Sequence, residues 1–211
     1  MDYSISAADR ARLERLAAIG HDEFRPAGLR ADRAGSPLPP DDPFFERMLA
    51  LGFGRTSWRP PGAAAGDAAR APNRGGSAVA GVLMAEESAY WDRGIGVAMC
   101  GPGLGESPVL GMGTPEQKER FLSPFLHPAK PIWGAFAMSE PGAGSDVAGI
   151  RTRAVKDGDH WILDGAKAWS GNAHRAEWTV VWATVDPALG RGGHRAFVVE
   201  RGTPGLEGHR I

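Results

Sequence analysis

Apolar positions along the first 130 residues recur at helical spacing. Ser6 precedes Leu13, Leu16 and Ala17, which share one face, and its hydroxyl is placed to cap the start. Asp42-Pro43 opens a second helix, since proline's missing N–H costs nothing in a first turn. Phe44, Phe45, Met48, Leu49 and Leu51 give that helix an apolar stripe, and Gly52 ends it. A third pattern restarts at Ser77 and runs through Val79, Val82, Leu83, Glu86 and Tyr90. Thr114-Pro115-Glu116-Gln117 combines a capping hydroxyl, a first-turn proline and a glutamine suited to close a capping box. Phe121, Leu122, Phe125 and Leu126 follow until His127-Pro128 stops the helix. Residues 59–76, rich in Pro, Gly, Ala and Arg, have no period and read as a mobile loop.

The period changes after Pro131. Ile132 to Met138 is an apolar, extended run, and Arg151–Lys156 and His160–Asp164 flank the hairpin signal Asp157-Gly158-Asp159. Trp178–Val185 and Ala196–Glu200 are further strands, rich in Val, Trp and Thr. Helices followed by strands, without βαβ alternation or an internal repeat, predict an α+β chain divided near residue 131. About five strands are few for a sheet whose faces must be covered. Either another element completes the sheet or the sequence is a fragment.

Composition narrows the function classes. The 24 basic and 25 acidic residues leave a net charge of −1, which weighs against a nucleic-acid partner. Cys100 is the single cysteine, so no internal disulfide forms, in keeping with a reducing compartment. Met1 to Ser6 lacks a basic region followed by an apolar one, as a secretory signal would have. The apolar runs break well short of the ~20 residues of a spanning helix. A soluble, cytoplasmic protein with no membrane partner is expected. The six histidines show no metal-ligand spacing, and no metal is expected.

The candidate chemistry lies in Met138-Ser139-Glu140-Pro141-Gly142-Ala143-Gly144-Ser145-Asp146. Without Cβ atoms, its glycines let the backbone approach a ligand and aim N–H groups at an anion, while Ser139 and Ser145 add hydroxyls. A dinucleotide fingerprint would need glycine at 147, where Val147 stands, and no Gly-Lys-Ser/Thr phosphate loop is present. On these residues alone, a plain Gly/Pro turn between strands is an equal reading.

Ala137 to Gly149 resembles the signature of the acyl-CoA dehydrogenase family: Ser/Thr-Glu, two intervening residues, a small residue and then Gly-Ser-Asp. Lys167-Ala168-Trp169-Ser170-Gly171-Asn172 follows at the family's spacing, and Met84–Glu87 and Gly113–Lys118 match in order. The resemblance covers residues 77 to 211 well and the first 76 loosely. It implies an N-terminal all-α domain over 1–131 and a truncated FAD-binding middle domain over 132–211, antiparallel and β-barrel-like. It also implies a C-terminal four-helix domain, to which nothing here corresponds.

The resemblance further implies FAD contacts at Phe136, Met138, Ser139, Gly144, Ser145, Trp169, Ser170 and Gly171. Met138 and Ser139 would meet the pyrimidine side of the flavin, Ser145 the pyrophosphate and the acyl-CoA, and Trp169 the ring itself. The family usually carries Ser or Thr where Gly171 stands; Gly171 offers only its N–H, with Ser170 the nearest hydroxyl. The implied reaction is α,β-dehydrogenation of an acyl-CoA thioester, with electrons passing to an electron-transfer flavoprotein from a homo-oligomer. Its catalytic base, a Glu, belongs to the C-terminal domain, so no catalytic residue is expected here, and the isolated chain is expected to be inactive and to bind FAD weakly. An acyl-CoA oxidase, a flavin monooxygenase relative, or a non-catalytic subunit completed by a partner are the alternatives.

Three other residues bear on the site. Gly96, Val97 and Cys100 are small, which suits a roomy acyl pocket and close helix packing equally. Cys100 has no paired base and reads as a small buried residue. Glu140, beside proline in a turn, reads as structural and not as the base.

Overall fold

The computed structural model describes residues 4–63 and 78–209. Local capping chemistry sets three of the helix starts. Ser6 caps α1 (Ala7–Ile19), its Oγ accepting from the Asp9 N–H at 3.0 Å. The chain does not stop there, because a π turn over Gly20–Phe24 leads into α2 (Arg25–Ala34), which the apolar pattern does not predict. That wider turn leaves Pro26 in the first turn of α2, where no N–H is required. Asp42 caps α3 (Pro43–Ala50), and Phe44, Phe45 and Met48 are wholly buried, whereas Leu51 is exposed. The helix α4 (Ala78–Ala98) breaks at Asp92, whose carboxylate caps the Ile95 N–H and so restarts the last turns. A short α5 (Glu106–Met112) precedes α6 (Pro115–Leu122), which carries the expected Thr114/Gln117 capping box. Residues 64–76 of the expected loop, and Ser77 at the expected helix start, lie outside the described residues.

Five strands follow: β1 (Gly134–Ala137), β2 (Arg153–Asp157), β3 (His160–Asp164), β4 (Trp178–Thr184) and β5 (His194–Glu200). The hairpin β2–β3 closes as expected, with Asp157 opposite His160 and Gly158 at φ 58°. β4 is the organising strand. It runs parallel to β1 with Gly134 opposite Trp178, antiparallel to β5, and touches β2 through the single pair Arg153–Thr184.

The antiparallel, barrel-like domain expected from the resemblance is therefore corrected to an open, mixed sheet in the order β1-β4-β2-β3, with β5 also on β4. A barrel needs every strand bonded along both edges. Here β1 and β3 end the order, each with one partner strand, and the four residues of β1 leave the rest of that β4 edge to a single β2 pair.

Two apolar cores fill the space between helices and sheet. One joins Phe24, Phe44, Phe45, Met48, Ile95 and Cys100 to Trp133 and Ala135. The other joins Phe121, Leu122 and Phe125 to Trp178 and Val180, and the Trp178 indole N–H donates to the Phe121 carbonyl at 3.1 Å. Together they hold Ala135 and Phe136 of β1 against the helices.

Candidate functional site

β1 ends where the glycine-bearing turn begins. Glu140 and Ala143 exchange backbone hydrogen bonds of 2.9 and 3.1 Å, which closes the turn on itself. The Glu140 side chain points inward and is 8% exposed. Its Oε1 accepts from Lys167 Nζ at 2.8 Å, Thr152 Oγ1 at 2.6 Å and the Thr152 N–H at 2.9 Å, while Oε2 accepts from the Arg151 N–H at 2.6 Å. Burial pushes the carboxyl pKa up, but the bonds from Lys167, Thr152 and Arg151 outweigh it and hold the group at about 2. Burial also lowers the Lys167 pKa, against the pull of Glu140. A carboxylate so engaged serves the fold, as its place beside Pro141 suggested.

Lys167 brings the second motif to the first. Its Nζ also donates to the Met138 carbonyl at 3.0 Å, and the Ala168 N–H donates to the Ser139 carbonyl at 2.9 Å. Residues 138–140 and 167–168 thus lie side by side. Behind them Gly165, at φ 149°, packs on Thr152; a Cβ there would stand 2.6 Å from Thr152 Oγ1.

The next residue, Trp169, is one of two non-glycine residues with positive φ among the described residues. It holds φ 60° and is 79% exposed. A left-handed backbone disfavours a bulky residue by about 1–2 kcal/mol, and an exposed indole recovers little of that by packing. Asn172 repeats the positive φ and secures the segment, since its amide donates to the Val97 carbonyl at 2.9 Å and its Oδ1 accepts from Arg175. The end of α4 therefore meets Gly171, where a Cβ would come only to 3.7 Å from Val97 Cγ1.

Phe136 is half-buried on β1 and packs against the second core, while Met138 and Ser139 are half-buried just past the strand end. Gly144 and Ser145 are exposed on the turn. Neither Gly142 nor Gly144 has a positive φ, and a Cβ on either would meet nothing within 4 Å, so packing within the chain does not require glycine there. Ser170 Oγ is buried and finds no hydrogen-bond partner among the described residues, so this hydroxyl is turned inward, away from the open side.

Cys100 does not line an open pocket. It follows the end of α4, is 3% exposed within the first core, and burial raises its thiol pKa to about 11. Of the three small residues, Val97 is the one exposed, beside Gly171. A separate groove of about 550 Å³ lies between α6 and β5, lined by Val109, Arg120, Phe121, Trp161, Phe197 and Val198. It includes none of the residues of the two motifs.

Sequence reasoning missed two polar centres: the Glu140–Lys167 pair and the buried Arg175. Lys167 stands inside the second motif, but nothing local pairs it with Glu140 or marks Arg175 as buried. Among the described residues, no group of His, Cys, Asp and Glu could hold a metal, and no helix is long and apolar enough to cross a membrane.

Comparison with known proteins settles the family. Residues 7–127 match the model for the acyl-CoA dehydrogenase N-terminal domain, and residues 135–211 that for the middle domain. This chain belongs to the acyl-CoA dehydrogenase family. It is 48% identical over 99 residues to the mitochondrial short-chain specific acyl-CoA dehydrogenase of Bos taurus, an alignment covering 47% of this chain and 24% of that protein. It is 30% identical over 208 residues to the short-chain specific acyl-CoA dehydrogenase of Megasphaera elsdenii, covering 98% of this chain and 51% of the relative. The crystal structure of glutaryl-CoA dehydrogenase from Mycobacterium smegmatis superposes with a TM-score of 0.75 at 32% identity, over 98% of this chain and 49% of that one. The chain thus spans about half the length of the relative it matches from end to end.

Proposed function

We propose that this chain supplies the flavin-facing wall of an FAD-dependent acyl-CoA dehydrogenase, whose whole protein oxidises an acyl-CoA thioester across its α,β carbon–carbon bond. The observation that carries the reading is Trp169, held at φ 60° and 79% exposed beside the turn. A planar aromatic ligand would cover that indole and offset the cost of its conformation. The backbone around Gly142 and Gly144 has no obstruction on its open side, which suits a diphosphate approaching N–H groups. Residues Phe136, Met138, Ser139, Gly144, Ser145, Trp169 and Gly171, with Ser170 through its backbone alone, form the proposed cofactor contact, and the exposed Ser145 hydroxyl is also offered to the acyl-CoA.

When bound, FAD would supply the hydride acceptor for the reaction. The chain's own residues bind and orient it: Trp169 shields the ring from water, and Gly171 presents its N–H where a side-chain hydroxyl is missing. Glu140 is unsuited to be the base, because its carboxylate is committed to Lys167, Thr152 and Arg151. We assign the base to a part of the whole protein other than this turn. An electron-transfer flavoprotein as acceptor, a homo-oligomeric assembly and a cytoplasmic setting complete the proposal.

Titrating FAD into the chain while following tryptophan emission tests the reading. Saturable quenching that disappears in Trp169→Phe is the expected result. Quenching of the same size in both proteins would overturn it.

A further inference from the structure

The Glu140–Lys167 pair is buried on both sides, with the lysine side chain 9% and the glutamate side chain 7% exposed. Buried ion pairs contribute little net stability compared with an apolar replacement. What this pair does provide is a fixed ammonium against one particular carbonyl, that of Met138, at 3.0 Å. The same peptide unit carries the Ser139 N–H, which takes no part in the bonds closing the turn; those use the N–H groups of Glu140 and Ala143. A carbonyl that accepts from a charged donor draws electron density toward its oxygen and leaves the N–H of its peptide a stronger donor. The dry surroundings of the pair keep solvent from screening the effect.

We infer that Lys167 is a positioning residue for the flavin: shared between Glu140 and the Met138 carbonyl, it polarises the Met138–Ser139 peptide, strengthens the Ser139 N–H as a donor to the ring, and holds the Trp169 segment alongside. The inference rests on the flavin reading above. Two further contacts support the geometry. Glu140 is fixed from behind by Thr152 and the Arg151 N–H, so the ammonium cannot drift with it, and the Ala168–Ser139 bond sets the spacing of the two segments. A stronger donor at an electron-accepting ring stabilises its reduced, electron-rich form, so the charge on Lys167 raises the reduction potential of the bound cofactor.

The test uses the full chain with FAD and two double variants that strand no buried charge. Glu140→Gln/Lys167→Met removes both the charge and the bond to Met138; FAD binding is expected to weaken about ten-fold or more, with a lower potential for the bound flavin against a reference dye. Glu140→Gln/Lys167→Gln keeps neutral donors in place; affinity is expected to stay within about three-fold of wild type, yet the potential still falls. Melting temperatures without FAD report the fold of each variant. A wild-type potential in the glutamine variant, or wild-type affinity and potential in the methionine variant, would overturn the inference and leave the flavin reading standing. Failure of the wild-type chain to take up FAD would remove both.

Discussion

The guanidinium carbon of Arg175 lies 4.4 Å from the centroid of the Trp133 ring. The same group donates to the carbonyls of Leu38 and Ala98 and to Asn172 Oδ1, and sits 5.2 Å from the Phe45 ring centroid. One buried cation thus ties the segment after α2, the end of α4 and the approach to β4. Arg175→Met should destabilise the chain by about 3 kcal/mol, through lost charge-assisted bonds and cation–π contacts. Arg175→Lys should recover less than half of that, because an ammonium cannot reproduce the planar fork. Urea unfolding measures both, and a methionine variant within about 1 kcal/mol of wild type would contradict the assignment.

Glu140 sets an acid limit on stability. Its folded pKa of about 2 lies below the ordinary value of 4.5, because bonds from Lys167, Thr152 and Arg151 outweigh burial. As pH falls, the unfolded chain takes up the proton first. The contribution of the carboxylate is therefore complete above about 4.5 and is lost progressively toward pH 2. Stability measured across that window should fall with pH, and Glu140→Gln should flatten the fall while weakening the chain at neutral pH.

Fold and ligand requirements separate at Gly144 and Trp169. With nothing within 4 Å of a Cβ at Gly144, Gly144→Ala should leave stability unchanged within about 0.5 kcal/mol while weakening FAD binding several-fold. Trp169→Asn should raise the stability of the FAD-free chain by about 0.5–1 kcal/mol, since asparagine tolerates the left-handed backbone. The same change should abolish saturable FAD binding. Chemical denaturation paired with FAD titration reads both effects, and a destabilised Trp169→Asn chain would show that the indole serves packing.

Cys100 should be inert to thiol reagents in the folded chain at neutral pH. It is 3% exposed, and burial holds its thiol protonated, with a pKa of about 11. Reaction is expected to appear only with denaturant. Rapid modification of the native chain would mean that the end of α4 opens readily.

What was legible in the sequence was local. Ser6, Asp42 and Thr114 announce their helices because a capping side chain and the N–H it accepts from are two or three residues apart. Gly158 marks its hairpin for the same reason, and the motif around Gly144 is contiguous. α2 gave no such signal: it has no side-chain cap and follows α1 through a π turn, with Pro26 in its first turn. The barrel-like expectation failed on strand partnership: β1 finds β4, with Gly134 opposite Trp178, and no local pattern encodes that pairing or its parallel sense. The Glu140–Lys167 contact was hidden likewise. Nothing in a string of residues tells which carboxylate a lysine will meet once both leave water.

Both apolar cores draw side chains from the helices and from the sheet: Phe45 meets Trp133 in one, and Phe125 meets Trp178 in the other. Severing the chain near residue 131 would strip Trp133, Ala135 and Ala176 from the first core and Trp178 and Val180 from the second, leaving the helical remainder of each facing water. Heating should accordingly dissolve helices and strands in one step, and a ligand that grips the turn should protect the far helices from melting as well.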